Sequence, residues 1–267
     1  MLKSIIPALF AVFYLSCHSK QGNTNANAAP VADTLRYEMR SFVKHYCVND
    51  EQCADFNIIY PDIAIKDSSA AEWIRQALQE RILAGVGAES GPSLETSLDS
   101  AAARFIDEFV QLKRDFPQQE AGHTMQMTGS VLFNTPKAVT FRLDFNWYTG
   151  GAHPNAAVAI ISFDRGTGRE LPITALLTDT NAVRPMLEAA YKKDKGLDPT
   201  DDITQLLYPG LEHLPMPVNA GIVPEGIIFA YSDYEVAPHA VGPMETILSW
   251  EQLEALADRQ RWAAQGH

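Results

Sequence analysis

The sequence predicts an α+β fold, in which an antiparallel β-sheet is packed by several helices and the two sequence halves share one compact body. Three observations support this prediction. Helical and strand patterns are segregated along the chain, the middle contains clearly alternating strands, and two amphipathic helices precede them. Hydrophobic residues make up 46% of the 267 residues, which is enough for a substantial core.

The first sixteen residues are predicted to be an export signal. Lys3 supplies a positive start, and the apolar stretch 5–15 is too short to span a bilayer. Ser16 followed by Cys17, after an apolar stretch, resembles the lipobox of bacterial lipoproteins. We therefore expect residues 1–16 to be a lipoprotein signal peptide and Cys17 to be lipidated. An ordinary secretory signal is the alternative.

Residues 17–33 are predicted to form a flexible tether from the acylated Cys17. Residues 18–32 contain one lysine and no acidic residue, and are mostly small or polar, so they cannot bury enough apolar surface to fold. The residue after Cys17 is His18 rather than Asp, which favours the outer membrane. We expect an extracytoplasmic protein, attached to the membrane through its lipid anchor on the periplasmic side of the outer membrane.

Charge and cysteine content restrict the function classes. Lys and Arg number 21 against 33 Asp and Glu, a net charge of −12, which argues against nucleic acid as a partner. In an oxidising compartment, the closely spaced Cys47 and Cys53 predict a disulfide. Free thiols, or a metal site that includes His45, are the alternatives.

The N-terminal part of the folded chain, residues 34–147, begins with two predicted strands, at 35–48 and 57–61. Ser69 and Glu72 have the spacing of a capping box, which predicts the start of a helix that ends at Gly85. The apolar residues expected on its buried face are Trp73, Ile74, Ala77, Leu78 and Ile82.

A second, longer helix is predicted from Ser93 to just before Pro117. Its apolar residues recur at intervals of three and four: Leu94, Leu98, Ala102, Phe105, Ile106, Phe109 and Leu112. This stripe is typical of a helix that packs on a core.

The middle of the chain is predicted to be a β-meander. Residues 124–133 and 138–148 flank a turn at 134–137, and a third strand covers 157–163. The second of these strands alternates regularly between apolar and polar side chains, which indicates that one of its faces is buried.

The remaining elements are a helix over 173–193 with Asn181 as its cap, a helical turn at 203–207, strands at 227–231 and 245–248, and a helix at 250–257. Residues 148–257 are predicted to form a second part of the body, and residues 258–267 a tail.

Three motifs carry the most information: a Gly-Gly-Ala-His-Pro-Asn turn at 150–155, a hairpin at 162–171, and a Pro- and Gly-rich connection at 229–243. Glycine and proline favour structural turns in each of them. The residues assigned this structural role are Gly150, Gly151, Pro154, Asp164, Gly168, Pro238 and Gly242.

These motifs, in this order, resemble the RsiV-like C-terminal domain, which is domain of unknown function 3298. The resemblance covers residues 148–256, and His239 departs from the tyrosine common at its place. Residues 35–145 resemble the companion domain, domain of unknown function 4163, which is found beside it in RsiV and in the PdaC deacetylase.

The resemblance implies an extracytoplasmic α+β module. The best understood member is a membrane-bound anti-sigma factor whose outer part binds lysozyme, and in PdaC the companion domain lies beside a separate catalytic domain. We expect this chain to lack that catalytic domain, a transmembrane helix and a sigma-binding segment. Anti-sigma signalling is therefore not carried over.

We therefore expect a non-catalytic binding module for lysozyme or a cell-wall component, with no cofactor. Tyrosine gives a large contact area with a polar tip, and the candidate binding surface is the Pro- and Gly-rich connection. The candidate binding residues are Tyr148, His153, Tyr208, Tyr231 and Tyr234.

Two alternatives remain open. The first is a metal-assisted hydrolase that uses His153, joined at one end of the sheet by His123 and His239 and by Asp144 or Glu235. Neither a G-x-S-x-G nor an H-E-x-x-H motif is present to support it. The second is a structural envelope protein with no small ligand.

Overall fold

A computed structural model of the chain describes residues 34–64, 68–87 and 96–262. The predicted signal peptide, the lipidation site Cys17 and the tether lie outside these residues. In the part of the chain that is described, no helix is both long enough and apolar enough to cross a membrane.

The first sheet has five strands in the order β1 (Tyr37–Cys47), β2 (Cys53–Ile63), β3 (His123–Asn134), β4 (Ala138–Tyr148) and β5 (Asn155–Asp164). Neighbouring strands are antiparallel except β2 and β3, which are parallel. The prediction of an antiparallel sheet is wrong at this one pair. Two helices connect β2 to β3, and such a crossover returns the chain in the same direction.

Those two helices, α1 (Ser69–Val86) and α2 (Leu98–Asp115), pack with one face of the sheet in a shared hydrophobic core. Helix α1 is capped by Ser68, one residue before the predicted cap, since the Ser68 Oγ accepts from the Ala71 N–H at 3.1 Å. Trp73, expected in the core, is 61% exposed. The predicted start of the second helix, Ser93, lies outside the described residues.

The second sheet contains β6 (Asn219–Val223), β7 (Gly226–Tyr231) and β8 (Met244–Ser249), all antiparallel. Strand β6, which the sequence did not predict, crosses the other face of the first sheet. At Gly221 an added Cβ would lie 2.6 Å from Ile160 Cγ2 and 2.8 Å from Thr140 Cγ2. The residue at this crossing must therefore be glycine for the two sheets to approach so closely.

The other face of the second sheet packs against α4 (Thr180–Asp194) and the shorter segments around it. The helix predicted over 173–193 is divided: α3 (Ile173–Leu176) ends early, and Asp179 rather than Asn181 caps α4. A 3-10 turn follows at Ile203–Gln205. The result is four layers, in the order helices, sheet, sheet and helices.

The chain ends with α5 (Trp250–Leu253), a 3-10 turn at Glu254–Leu256, and α6 (Arg259–Trp262). Trp262 is only 2% exposed and belongs to the hydrophobic core between the second sheet and α4. The predicted tail is therefore packed against the body at Trp262.

The hairpin after β5 shows how a sequence motif becomes a fixed turn. The Asp164 carboxylate accepts from the Thr167 backbone N–H at 2.8 Å and from its hydroxyl at 3.0 Å. Gly168 has φ +74°, and a Cβ there would lie 2.6 Å from the Ala70 carbonyl oxygen. This turn therefore packs directly on the start of α1.

Candidate functional site

The candidate site lies where the turn between β4 and β5 meets the connection between β7 and β8. His153 of the first segment stacks on His239 of the second, with ring centroids 4.2 Å apart and planes only 5° from parallel. Tyr234 lies 5.5 Å from the His239 ring, and its hydroxyl is 3.4 Å from His153 Nε2. We call these three residues the ring cluster.

The β4–β5 turn holds His153 in place through its own backbone. The Tyr148 hydroxyl donates to the Gly151 carbonyl at 2.9 Å, which closes the turn. His153 Nδ1 lies 2.9 Å from the Pro154 carbonyl oxygen. A carbonyl only accepts, so this nitrogen carries a proton, and Nε2 of the neutral ring is left to accept from Tyr234.

The β7–β8 connection holds Tyr234 in a left-handed backbone conformation, with φ +62°. Such a conformation is uncommon and costly for a residue with a Cβ. Glu235 holds the turn in this conformation, because its carboxylate accepts from the Ser232 N–H at 2.8 Å and from the Val218 N–H at 3.2 Å. Glu235, proposed from sequence as a partner of the histidines, therefore acts on the backbone of the turn instead.

A cleft of about 450 Å³ lies beside the ring cluster, between β4, β5 and the β7–β8 region. Its residues include one cation, Arg142, and four carboxylates: Asp144, Asp194, Asp233 and Glu245. The cleft is therefore acidic.

Arg142 is paired with two carboxylates within the cleft. Its Nε donates to both Asp144 oxygens at 2.9 Å, and its Nη1 donates to Glu245. The hydrogen bond to Asp144 is the largest cause that raises the pKa of Arg142 above its ordinary value. Asp144, another candidate partner of the histidines, is therefore occupied by Arg142.

Asp233 links the cleft to the ring cluster. Its side chain is 10% exposed, and Oδ2 lies 3.5 Å from His239 Nδ1. The other oxygen, Oδ1, is buried and has no hydrogen-bond partner among the described residues.

The structure brings together only some of the predicted binding residues. Tyr234 is 48% exposed, and His153 is exposed beside it. Tyr148 and Tyr208 are half-buried, and the Tyr208 backbone N–H donates to Val236 in the β7–β8 connection.

Two residues expected at the site are in the core. Tyr231 is 1% exposed, and its hydroxyl donates to the Pro215 carbonyl at 2.7 Å, so it cannot contact a partner at the surface. His123 is 4% exposed and packs between the rings of Phe105 and Phe109. The sequence shows no local signal for either position, because β7 is buried at every residue and His123 is the first residue of β3, so that only the packing of neighbouring layers decides that they are covered.

The sequence did not select Asp233, Arg142 or Glu245 as site residues. Arg142 and Asp144 are two residues apart on β4, so period-two geometry alone would have placed them on the same face. No local signal connects them to Glu245, which is 103 residues away in the chain.

The geometry of the ring cluster gives little support to a shared metal ion. A metal lies in the plane of each imidazole that binds it, and the planes of His153 and His239 are stacked. Among the described residues, the one group of three that could hold an ion is His45, Cys47 and Cys53. The two cysteines form the predicted disulfide, so their sulfur atoms are bonded to each other.

Comparison with known proteins gives two family matches in N-to-C order. The model described as deacetylase PdaC matches residues 47–156, and that of the DUF3298 family, of unknown function, matches residues 176–251. The first match contains the β4–β5 turn, and the second contains the β7–β8 connection. The predicted boundary at 147/148 falls at the end of β4, within the β4–β5 hairpin.

Two solved structures share the fold. A DUF3298 family member from Bacteroides fragilis has 15% identity and a TM-score of 0.63, and the similarity covers 84% of this chain and 94% of that one. A DUF3298 family protein from Pseudomonas aeruginosa PAO1 has 16% identity and the same TM-score, covering 88% and 98%. None of the curated proteins compared with the chain matches it. The chain thus carries a PdaC match followed by a DUF3298 match, on a fold shared with solved members of the DUF3298 family.

Proposed function

We propose that this chain is a lipid-anchored, extracytoplasmic binding protein and that the ring cluster, with the acidic cleft beside it, forms its binding site. The observation that carries the proposal is the stacking of His153 on His239, which joins two turns from different family matches. A binding function explains why exposed rings are placed together at a strained turn, since such strain concentrates at ligand-contacting sites.

The ring cluster is suited to contact a protein surface. Tyr234 and His239 present large, flat side chains with polar tips, and both are more than two-fifths exposed. Glu235 fixes the backbone around Tyr234, so little conformational entropy of this residue is lost when a partner binds. Aromatic residues placed in this way are common anchors of interfaces.

The charge of the cleft favours a cationic partner. Four carboxylates surround one arginine that is already paired, and the whole chain carries a net charge of −12. A negative surface of this kind raises the association rate of a basic protein. Lysozyme is the partner we propose first, and a cell-wall component with basic groups is the second.

Calorimetric titration of the soluble chain, from His18 onward, with C-type lysozyme tests this proposal. The titration is run at about 0.15 M and about 0.5 M salt, because screening removes nonspecific charge attraction. We expect saturable one-to-one binding that survives the higher salt. Absence of heat, or heat that disappears at high salt, would refute lysozyme as the partner.

Two variants locate the binding surface. Tyr234→Ala is expected to weaken binding about tenfold or more, as for an interface anchor, and His153→Ala is expected to weaken it too. The matched control is Tyr46→Ala in β1, which removes a tyrosine of similar exposure, 43% against 48%, far along the chain from the cluster. Unchanged affinity in folded Tyr234→Ala would show that the partner binds elsewhere.

We favour a non-catalytic role over metal-assisted hydrolysis, although the description of one matched family names a deacetylase. The stacked planes of His153 and His239 argue against a shared ion. Zinc titration followed by metal analysis is the direct test. Stoichiometric zinc that is lost in His153→Ala would replace the binding proposal with a hydrolase.

A further inference from the structure

Strand β1 is an exposed edge of the first sheet. It has β2 on one side, and nine of its eleven residues are exposed. Within the described ranges its outer backbone groups have no strand beside them. A long edge strand of this kind is a template for pairing with another strand.

The hydrogen bonds to β2 identify which backbone groups of β1 point outward. Arg36 accepts from the Ala64 N–H at 3.1 Å, and the Val48 N–H donates to Gln52 at 3.0 Å. In an antiparallel pair such residues alternate, so even-numbered residues bond to β2 and odd-numbered ones face outward. The residues of β1 whose backbone N–H and C=O groups point outward are Tyr37, Met39, Ser41, Val43, His45 and Cys47.

The charges on β1 select one register for pairing with a second copy. A two-fold axis at Ser41 places Glu38 of each copy opposite Lys44 of the other, in the close, non-hydrogen-bonded positions. An axis one residue later, at Phe42, would place Arg40 opposite Lys44. An axis at Arg40 would place that arginine opposite itself. An axis at Met39 would place Glu38 opposite Arg40, but it would pair only residues 37–41 of the strand, whereas the axis at Ser41 pairs residues 37–45 and also places opposite charges together.

We propose that the chain self-associates by antiparallel pairing of β1 with β1 of a second copy, about a two-fold axis at Ser41. The same register places Met39, 49% exposed, opposite Val43, 62% exposed, twice per dimer. Pairing therefore covers two of the most exposed apolar side chains of the described surface. A two-fold dimer of this kind is the commonest oligomer of a single chain.

Two charged side chains of β1 are oriented by acidic residues of the same chain. Arg40 contacts Asp62 at 2.7 Å, and Lys44 contacts Asp99 at 3.0 Å, so neither cation stands alone at the edge. The Cys47–Cys53 disulfide ties the end of β1 to β2. The edge is therefore a fixed surface of the sheet.

Sedimentation equilibrium of the full chain over a concentration series tests the proposal, because a single paired strand buries a modest area and gives a concentration-dependent dimer. Ser41→Pro removes an outward N–H and leaves the bonds to β2 intact. We expect it to abolish dimerisation, whereas Ser41→Ala, which keeps that N–H, is the matched control. Circular dichroism checks that both variants are folded.

Charge reversal tests the register itself. Lys44→Glu alone places glutamates opposite Glu38 and is expected to weaken dimerisation about tenfold, as is Glu38→Lys alone. An equimolar mixture of the two single variants, or the double variant, restores opposite charges and should restore the dimer. No merely local effect of either substitution would produce this rescue.

A chain that is monomeric at every concentration would overturn the proposal, and would mean that the edge stays unpaired or is covered within one chain. A dimer that is indifferent to Ser41→Pro would place the contact on another surface. If Ser41→Pro abolishes the dimer, but the mixture of Lys44→Glu and Glu38→Lys does not restore it, the proposed register is wrong. None of these measurements uses lysozyme, so they are independent of the proposed function.

Discussion

Replacing Tyr234 by alanine and by glycine separates the backbone strain of the candidate site from its ring contacts. Both substitutions remove the phenol ring, but only glycine adopts a φ of +62° without a steric cost. We therefore expect Tyr234→Gly to be more stable than Tyr234→Ala, an order opposite to that in ordinary backbone conformations.

The magnitude follows from two opposing contributions. The left-handed conformation costs a residue with a Cβ about 1–2 kcal/mol, which glycine does not incur. Glycine loses more backbone freedom on folding, at a cost of about 0.5–1 kcal/mol relative to alanine. The glycine variant should therefore be the more stable by about 0.5–1 kcal/mol, or about 1–4 °C in Tm for a body of this size.

Urea denaturation of the two variants, followed by circular dichroism, measures this difference. The control is the same pair of substitutions at Tyr46, which lies in the extended strand β1. There, glycine should be the less stable by about 0.5–1 kcal/mol, because no positive φ offsets its entropy. If glycine is less stable than alanine at both positions, Tyr234 is not held in the left-handed region in solution.

The comparison also has a functional consequence. Both Tyr234 variants lack the ring that we propose contacts the partner, so both should bind lysozyme more weakly than the unchanged chain. If Tyr234→Gly is more stable than Tyr234→Ala and yet binds lysozyme more weakly than the unchanged chain, the strain at Tyr234 is maintained for binding. Full binding by Tyr234→Gly would contradict that explanation.

Two further predictions concern the packing of the second sheet. Gly221→Ala should lower the free energy of unfolding by about 1–3 kcal/mol in urea denaturation, because its Cβ overlaps Ile160 and Thr140 of the first sheet; unchanged stability would mean that the sheets are less closely packed. Burial raises the pKa of Tyr231, so the folded form keeps its proton while the unfolded form, with a pKa of about 10, loses its own as pH rises. The free energy of unfolding therefore falls above about pH 10, and Tyr231→Phe should reduce this fall. At neutral pH the same variant should be less stable by about 1 kcal/mol, because it lacks the hydrogen bond to Pro215. An identical alkaline fall in both proteins would contradict the buried position of Tyr231.

The sequence was most informative where structure is local. Strand β4 was predicted with its observed bounds, Ala138–Tyr148, because one face packs on the core and the other is polar, so the alternation is visible in the chain itself. The disulfide followed from the short spacing of Cys47 and Cys53 in a chain that is predicted to be exported. The turn residues around Asp164 were recognisable because their hydrogen bonds stay within the turn.

The sequence was least informative where a residue's surroundings come from a distant segment. Strand β6 is buried at every position, so it shows no alternation by which it could be recognised. Whether Tyr231 faces solvent or core depends on α4 and its neighbours, which cover that face of the second sheet. Trp262 is buried for the same reason, in a segment that the sequence assigned to a tail.

The candidate site combines both kinds of information. The two turns that form it were recognisable from glycine, proline and aromatic residues, because those residue types determine local backbone geometry. The contact between the two turns was not recognisable, since the stack of His153 on His239 joins connections that belong to different sheets. Sequence alone therefore determined the turns, whereas the packing of the second sheet on the first decided that they form one surface, because nonlocal contacts depend on how whole layers pack.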